Sequence, residues 1–99
     1  MMGGGISPTY VTDGYINSGY KDLTMTAGKT YAISVSSNHQ DSSLNRGGMI
    51  MFKDGEISKF KETGANIWSN CTPTAPNPTT LRLTVNAQWC VGYTVVQLD

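Results

Sequence analysis

Charge is scarce in this sequence. Only 14% of its 99 residues are Asp, Glu, Lys or Arg, seven basic against seven acidic, and the formal net charge is zero. Proteins that bind nucleic acid by neutralising phosphates carry a basic excess or stripe. Here Lys53, Lys59 and Lys61 form only a small local cluster, so no nucleic-acid partner is expected. Long apolar runs are missing too. No stretch approaches the ~20 residues that a bilayer-spanning helix needs, and no membrane partner is expected. The opening "MMGGGISPTY" lacks the basic and apolar segments of a secretory signal, which gives an expectation of synthesis and retention in the cytosol.

The residues of chemistry are equally thin. His39 is the one histidine. It stands with Asp41 and Ser42 in a polar stretch, but neighbours in one loop seldom reach triad geometry, and no G-x-S-x-G motif is present. Seven carboxylates are scattered from Asp13 to Asp99 without a paired arrangement. Asp41 with Asn45 lacks the ligand density of a calcium loop, and two cysteines with one histidine do not compose a usual zinc site. Gly3-Gly4-Gly5 has neither a preceding strand nor a following Lys-Ser/Thr, so it is no phosphate loop. Asn70-Cys71-Thr72 matches the glycosylation acceptor pattern, a weak signal without an export route. Cys71 and Cys90 read as reduced, partly buried thiols; a bridge between neighbouring strands is the alternative, since spacing along the chain does not set a Cα separation. The chain is therefore read as non-enzymatic, with no metal or cofactor.

What is present is the vocabulary of a β protein. Thr and aromatic residues suit strands, Gly, Asn and Pro punctuate them, and helix-favouring Ala, Leu, Glu and Gln are few. A chain of this length makes one domain and buries roughly two-thirds of its unfolded surface. Residues 1–8 read as a flexible arm and 9–99 as the domain. Short strands are expected at Thr9–Thr12 and around Tyr15–Ile16, separated by Asp13-Gly14, a hairpin-type dipeptide. Leu23 and Met25 alternate before a turn at Ala27-Gly28. Tyr31, Ile33 and Val35 then share one face opposite Ala32, Ser34 and Ser36, the period of a half-buried antiparallel strand. Residues 37–47 form a polar loop of the length at which binding functions often sit.

Met49–Phe52 meets Asp54-Gly55 and returns through Ile57 and Phe60, a tight hairpin. Ile57 and Phe60 would fall on opposite faces under strict alternation, which predicts a bulge or an early strand end. Ile67-Trp68 is expected to begin a short strand, and "CTPTAPNPTT" to be an extended loop stiffened by proline. Leu81, Leu83 and Val85 alternate with Arg82, Thr84 and Asn86. The last strand is apolar on both sides: Trp89, Val91, Tyr93 and Val95 on one, Cys90, Val96 and Leu98 on the other. Strands of that kind are normally covered on both faces. The fold expected is all-β, an antiparallel sandwich or jelly-roll of about six to eight strands, with Tyr31, Tyr93, Phe52 and one Trp in its core. Tyr10, Tyr15 and Tyr20, set amid Gly, Asn and Ser, have the composition of a recognition surface for a sugar or a subunit, and equally that of structural strand and turn residues.

"LTMTAGKTYAISVSS", "GGMIMFKDGE" and the closing "LRLTVNAQWCVGYTVVQL" resemble the small β-sandwich modules of tailed-bacteriophage virions, which occur as capsid decoration proteins and as the tips of tail fibres. The likeness spans about residues 22–98 and is one of texture, without a diagnostic motif. It implies a capsid decoration or cement subunit at the virion surface, made in the host cytoplasm, with capsid or other virion subunits as partners and a homotrimer as the favoured assembly. The residues expected to meet partners are Gly3, Gly4, Gly5 and Ile6 of the arm, Tyr10, and Trp89, Val91 and Val95 of the last strand. The alternative is a receptor- or carbohydrate-binding module such as a fibre tip. It would hold host glycan with the loops at 37–47 and 72–79, Trp68, or a tyrosine between residues 10 and 20.

Overall fold

The computed structural model describes residues 8–37, 46–63 and 67–99. Among the described residues six strands carry the fold: β1 (Thr9–Thr24), β2 (Tyr31–Ser37), β3 (Arg46–Lys53), β4 (Glu56–Thr63), β5 (Cys71–Asn77) and β6 (Thr80–Gln97). A 3-10 turn at Ile67–Ser69 lies between β4 and β5. All pairings are antiparallel, in the order β1-β6-β2-β3-β4, with β5 on the first half of β6. The all-β, antiparallel class expected from the sequence is present. Its strands make one continuous sheet curled nearly closed like a barrel, and that ladder does not establish a sandwich or jelly-roll.

The curl is made by the two longest strands. Asn17 faces Cys90 and Gly19 faces Val85, so Ser18 alone stands against residues 86–89. Ser18 and Gly19 both have positive φ, 51° and 91°. An irregularity of this kind bends a strand sharply. The bend divides the β1–β6 ribbon into two arms. In one, β6 pairs with β2, and the sheet continues through β3 to β4; in the other, β6 pairs with β5. Side chains from both arms join one core: Ile33, Val35, Ile50, Phe52, Val91 and Val95 from the first, Leu23, Cys71, Leu81, Leu83 and Val85 from the second. Ile67 and Trp68 of the 3-10 turn complete it.

Several local expectations agree with the coordinates. Asp54 (φ 49°) and Gly55 (φ 88°) form the tight turn between β3 and β4, and Gly28 (φ 82°) turns the chain between β1 and β2. These ends are stitched together, since Gly28 N–H donates to Asp54 Oδ1 at 2.7 Å. The register of β4 slips where Met49 faces Lys61 and Ile50 faces Lys59, which is the bulge expected near Phe60. Tyr31, Phe52, Tyr93 and Trp68 are buried.

Three expectations are corrected. Asp13-Gly14 is not a turn: β1 runs through it, Asp13 opposite Thr94 and Gly14 opposite Tyr93. The Tyr93 ring fills the space a side chain at residue 14 would take. Ile67-Trp68 is a 3-10 turn, not a strand start. Residues 71–77 are a strand, not a loop. Proline is tolerated there because, among the described residues, β5 pairs on one side only, and an edge strand can lose a ladder donor. The loop expected at 37–47 lies mostly outside the described residues; of its ends, Ser37 closes β2 and Arg46 opens β3.

Candidate functional site

In the five-stranded arm, side chains alternate between the core and an outward face, and the register fixes which residues share that face. Tyr10, Val96, Ala32 and Met51 stand in one row across four strands. Asp13, Thr94, Ser34 and Met49 make the next row, and Tyr15, Gly92, Ser36 and Gly47 the one after. The first row is largely apolar and the other two mostly polar or small.

This arrangement redistributes the residues expected to meet partners. Val91 and Val95 are fully buried in the protein's own core, so their side chains offer nothing to a neighbour. Alternation sends them inward opposite Ile16 and Thr12 of β1. Trp89, beside the bend, is half-buried and packs against the core. Tyr10 is outward and 62% exposed. Gly3, Gly4, Gly5 and Ile6 lie outside the described residues. The other side of β6, expected to be greasy with Cys90, Val96 and Leu98, carries Cys90, Gly92, Thr94 and Val96, while Leu98 lies just past the strand. Of the four only Val96 is a large apolar side chain, and it is partly buried. For the glycan alternative, Trp68 is buried, with the Lys59 ammonium 5.6 Å from its ring centre, and the segment at 72–77 belongs to a strand.

Among the described residues the exposed large apolar side chains all belong to β1: Tyr10, Val11, Tyr15 and Tyr20. Among the described residues β1 hydrogen-bonds to β6 alone, along both arms, and its other edge is unpaired. Only Ile16 and Leu23 of this strand are buried. Such an edge presents a row of N–H and C=O groups to any chain that approaches it.

Two further features decorate the surface. On the second arm the Arg82 guanidinium grips Asp22 through Nε–Oδ1 at 2.7 Å and Nη2–Oδ2 at 3.0 Å, and lies 4.4 Å from the Tyr20 ring centre. The hydrogen bond from Arg82 holds the Asp22 carboxyl below the usual carboxylate range. The cysteines are unbridged. Burial pushes the Cys71 thiol up to about 11, while Cys90 is half-exposed on the outward face.

Between β1, β6 and β2 the outward face dips into an open depression of about 360 Å³, lined by Asp13, Tyr15, Ser34, Ser36, Gly92 and Thr94 with backbone beneath. Tyr15 and Tyr10 are the members of this surface that the sequence singled out. Asp13, Ser34, Ser36, Gly92 and Thr94 were missed. The Asp13-Gly14 dipeptide masked the first as a turn residue. The alternation of 31–36 and 91–95 marks the others as outward, but only the register sets them side by side.

Compared with known proteins, the chain matches no family model, no curated protein and no solved structure.

Proposed function

We propose that this protein is a non-enzymatic structural subunit that docks on other protein subunits, a capsid decoration or cement protein on the exterior of a tailed-phage particle. The observation that supports docking is the edge of β1, sixteen residues long and unpaired among the described residues, with Tyr10, Val11 and Tyr20 exposed along it. Tyrosine supplies large contact area at small entropic cost. A free edge adds main-chain hydrogen bonds that accept any sequence, with specificity left to the side chains around them. The row Tyr10–Val96–Ala32–Met51 extends that surface across the sheet, with Val96 and Met51 partly exposed on either side of buried Ala32. The phage setting draws on the resemblance of residues 22–98 to virion modules. Under this reading residues 1–8 and the β1 edge bind particle subunits, and like copies associate, a trimer being favoured.

The test is the mass of the full chain in solution, together with its occupancy on tailed-phage capsids. A homo-oligomer that decorates capsids is expected, and removal of residues 1–8 should lower occupancy without changing the thermal midpoint. A strict monomer that never occupies a capsid overturns the proposal. The alternative, a receptor- or carbohydrate-binding module such as a fibre tip, is favoured by one observation, the depression beside Tyr15.

A further inference from the structure

The depression has a construction of its own. Tyr15 faces Gly92 across the β1–β6 pair. A Cβ on residue 92 would lie 3.1 Å from Tyr15 Cε1 and 3.5 Å from Cδ1. The missing side chain lets the ring lie down over β6 while the residue stays 70% exposed. Ser36 continues the same row on β2 and stands 3.7 Å, by its Oγ, from that same Cβ position. One row away, Asp13, Thr94 and Ser34 cross the same three strands. A ring, a glycine-floored gap, a carboxylate and three hydroxyls are thus held on rigid sheet positions within one hollow. Its volume lies at the lower end of the ~300–1,000 Å³ typical of small-ligand sites.

From this arrangement we infer that the hollow is a binding site for a neutral saccharide, one that stacks a sugar ring on Tyr15 and gives hydroxyl hydrogens to Asp13. An aromatic ring attracts the weakly positive C–H face of a sugar through the negative face of its π-system. An ionised carboxylate accepts only, with room for two hydroxyl donors, whereas Ser and Thr hydroxyls both donate and accept. The set therefore suits a ligand that is apolar on one face and rich in hydroxyls at its rim. Among the described residues no Lys, Arg or His lines the hollow, so an acidic sugar or a phosphate meets the Asp13 charge with no compensating cation from them. Neutral sugars are bound in preference to acidic ones. The site is separate from docking through the β1 edge, because the Tyr15 ring lies over Gly92 and lines the hollow while docking uses the backbone edge with Tyr10, Val11 and Tyr20.

The experiment uses the full chain on an array of bacterial surface glycans and common neutral and sialylated disaccharides, followed by nitrogen–proton correlation spectra with every sugar that binds. Expected are neutral binders that shift the amides of residues 13–15, 34–36 and 92–94. Tyr15→Ala should weaken them about tenfold or more, the scale of losing one aromatic anchor. Asp13→Asn should weaken binding as well, and Tyr20→Ala, on the other arm, should leave it unchanged. The spectra themselves report whether each variant is folded. No binder on the array, shifts centred elsewhere, a preference for acidic sugars, or full binding by folded Tyr15→Ala would each overturn the site. Because Tyr15→Ala is expected to leave oligomer mass and capsid occupancy untouched, loss of one proposal is readable apart from the other.

Discussion

Trp68 occupies the space that a side chain on Gly48 would need. A Cβ at residue 48 would lie 2.6 Å from Trp68 Cζ2 and 2.7 Å from Ile67 Cγ2, both residues being buried. The glycine in β3 is thus the seat of the 3-10 turn, which joins β4 to β5 at the seam of the curled sheet. Gly48→Ala should destabilise the fold by about 1–3 kcal/mol, the usual cost of overpacking a filled core. Urea unfolding measures it. An unchanged midpoint would mean that the turn does not hold its place in solution.

The two thiols should react very differently. Cys71 is fully buried and its pKa is raised to about 11, whereas Cys90 is half-exposed beside Gly92. A thiol reagent at mildly alkaline pH should modify Cys90 in the native protein and reach Cys71 only after denaturation, since the thiolate is the reactive form. Mass spectrometry of the labelled peptides reports this directly. The raised pKa also sets a sign: a group protonated longer in the folded state favours folding below its unfolded value. That contribution should fade as pH rises from about 9, the ordinary value, through about 11. Cys71→Ala should remove this alkaline slope from the stability profile.

At the other end of the pH scale stands Asp22. Its carboxyl is held low by the two-pronged contact with Arg82. A lowered carboxyl contributes stability above its unfolded pKa and loses it as pH falls through the folded one. The loss should begin near 3.8, the ordinary value, and continue below it. Both partners are more than a third exposed, so solvent and salt reduce the effect to a small one. Arg82→Met should return the Asp22 titration, followed by carboxyl carbon shifts, to the ordinary range. A titration unmoved by that change would disprove the pairing.

Strand propensity, alternation and tight-turn dipeptides were enough to read the all-β class, the β3–β4 hairpin, the bulge in β4 and the aromatic core, because each of these depends on neighbours within a few residues. Tyr31, Ile33 and Val35 announce their face by period alone. Asp13-Gly14 and the proline-bearing 71–77 segment were misread for the same reason. Local chemistry favours a turn or loop there, and only pairing with β6 makes strands of them.

Whether Val91 or Val96 faces the core, whether Gly92 floors a hollow, and which strand keeps a free edge all depend on register and strand order. Both are settled by contacts between residues far apart in sequence, where one slipped residue reverses every side chain. Composition and period thus determined what kind of chain this is. Tertiary pairing alone decided that β1, among the described residues, leaves one of its edges unpaired and that Asp13, Tyr15 and Ser36 meet around a glycine.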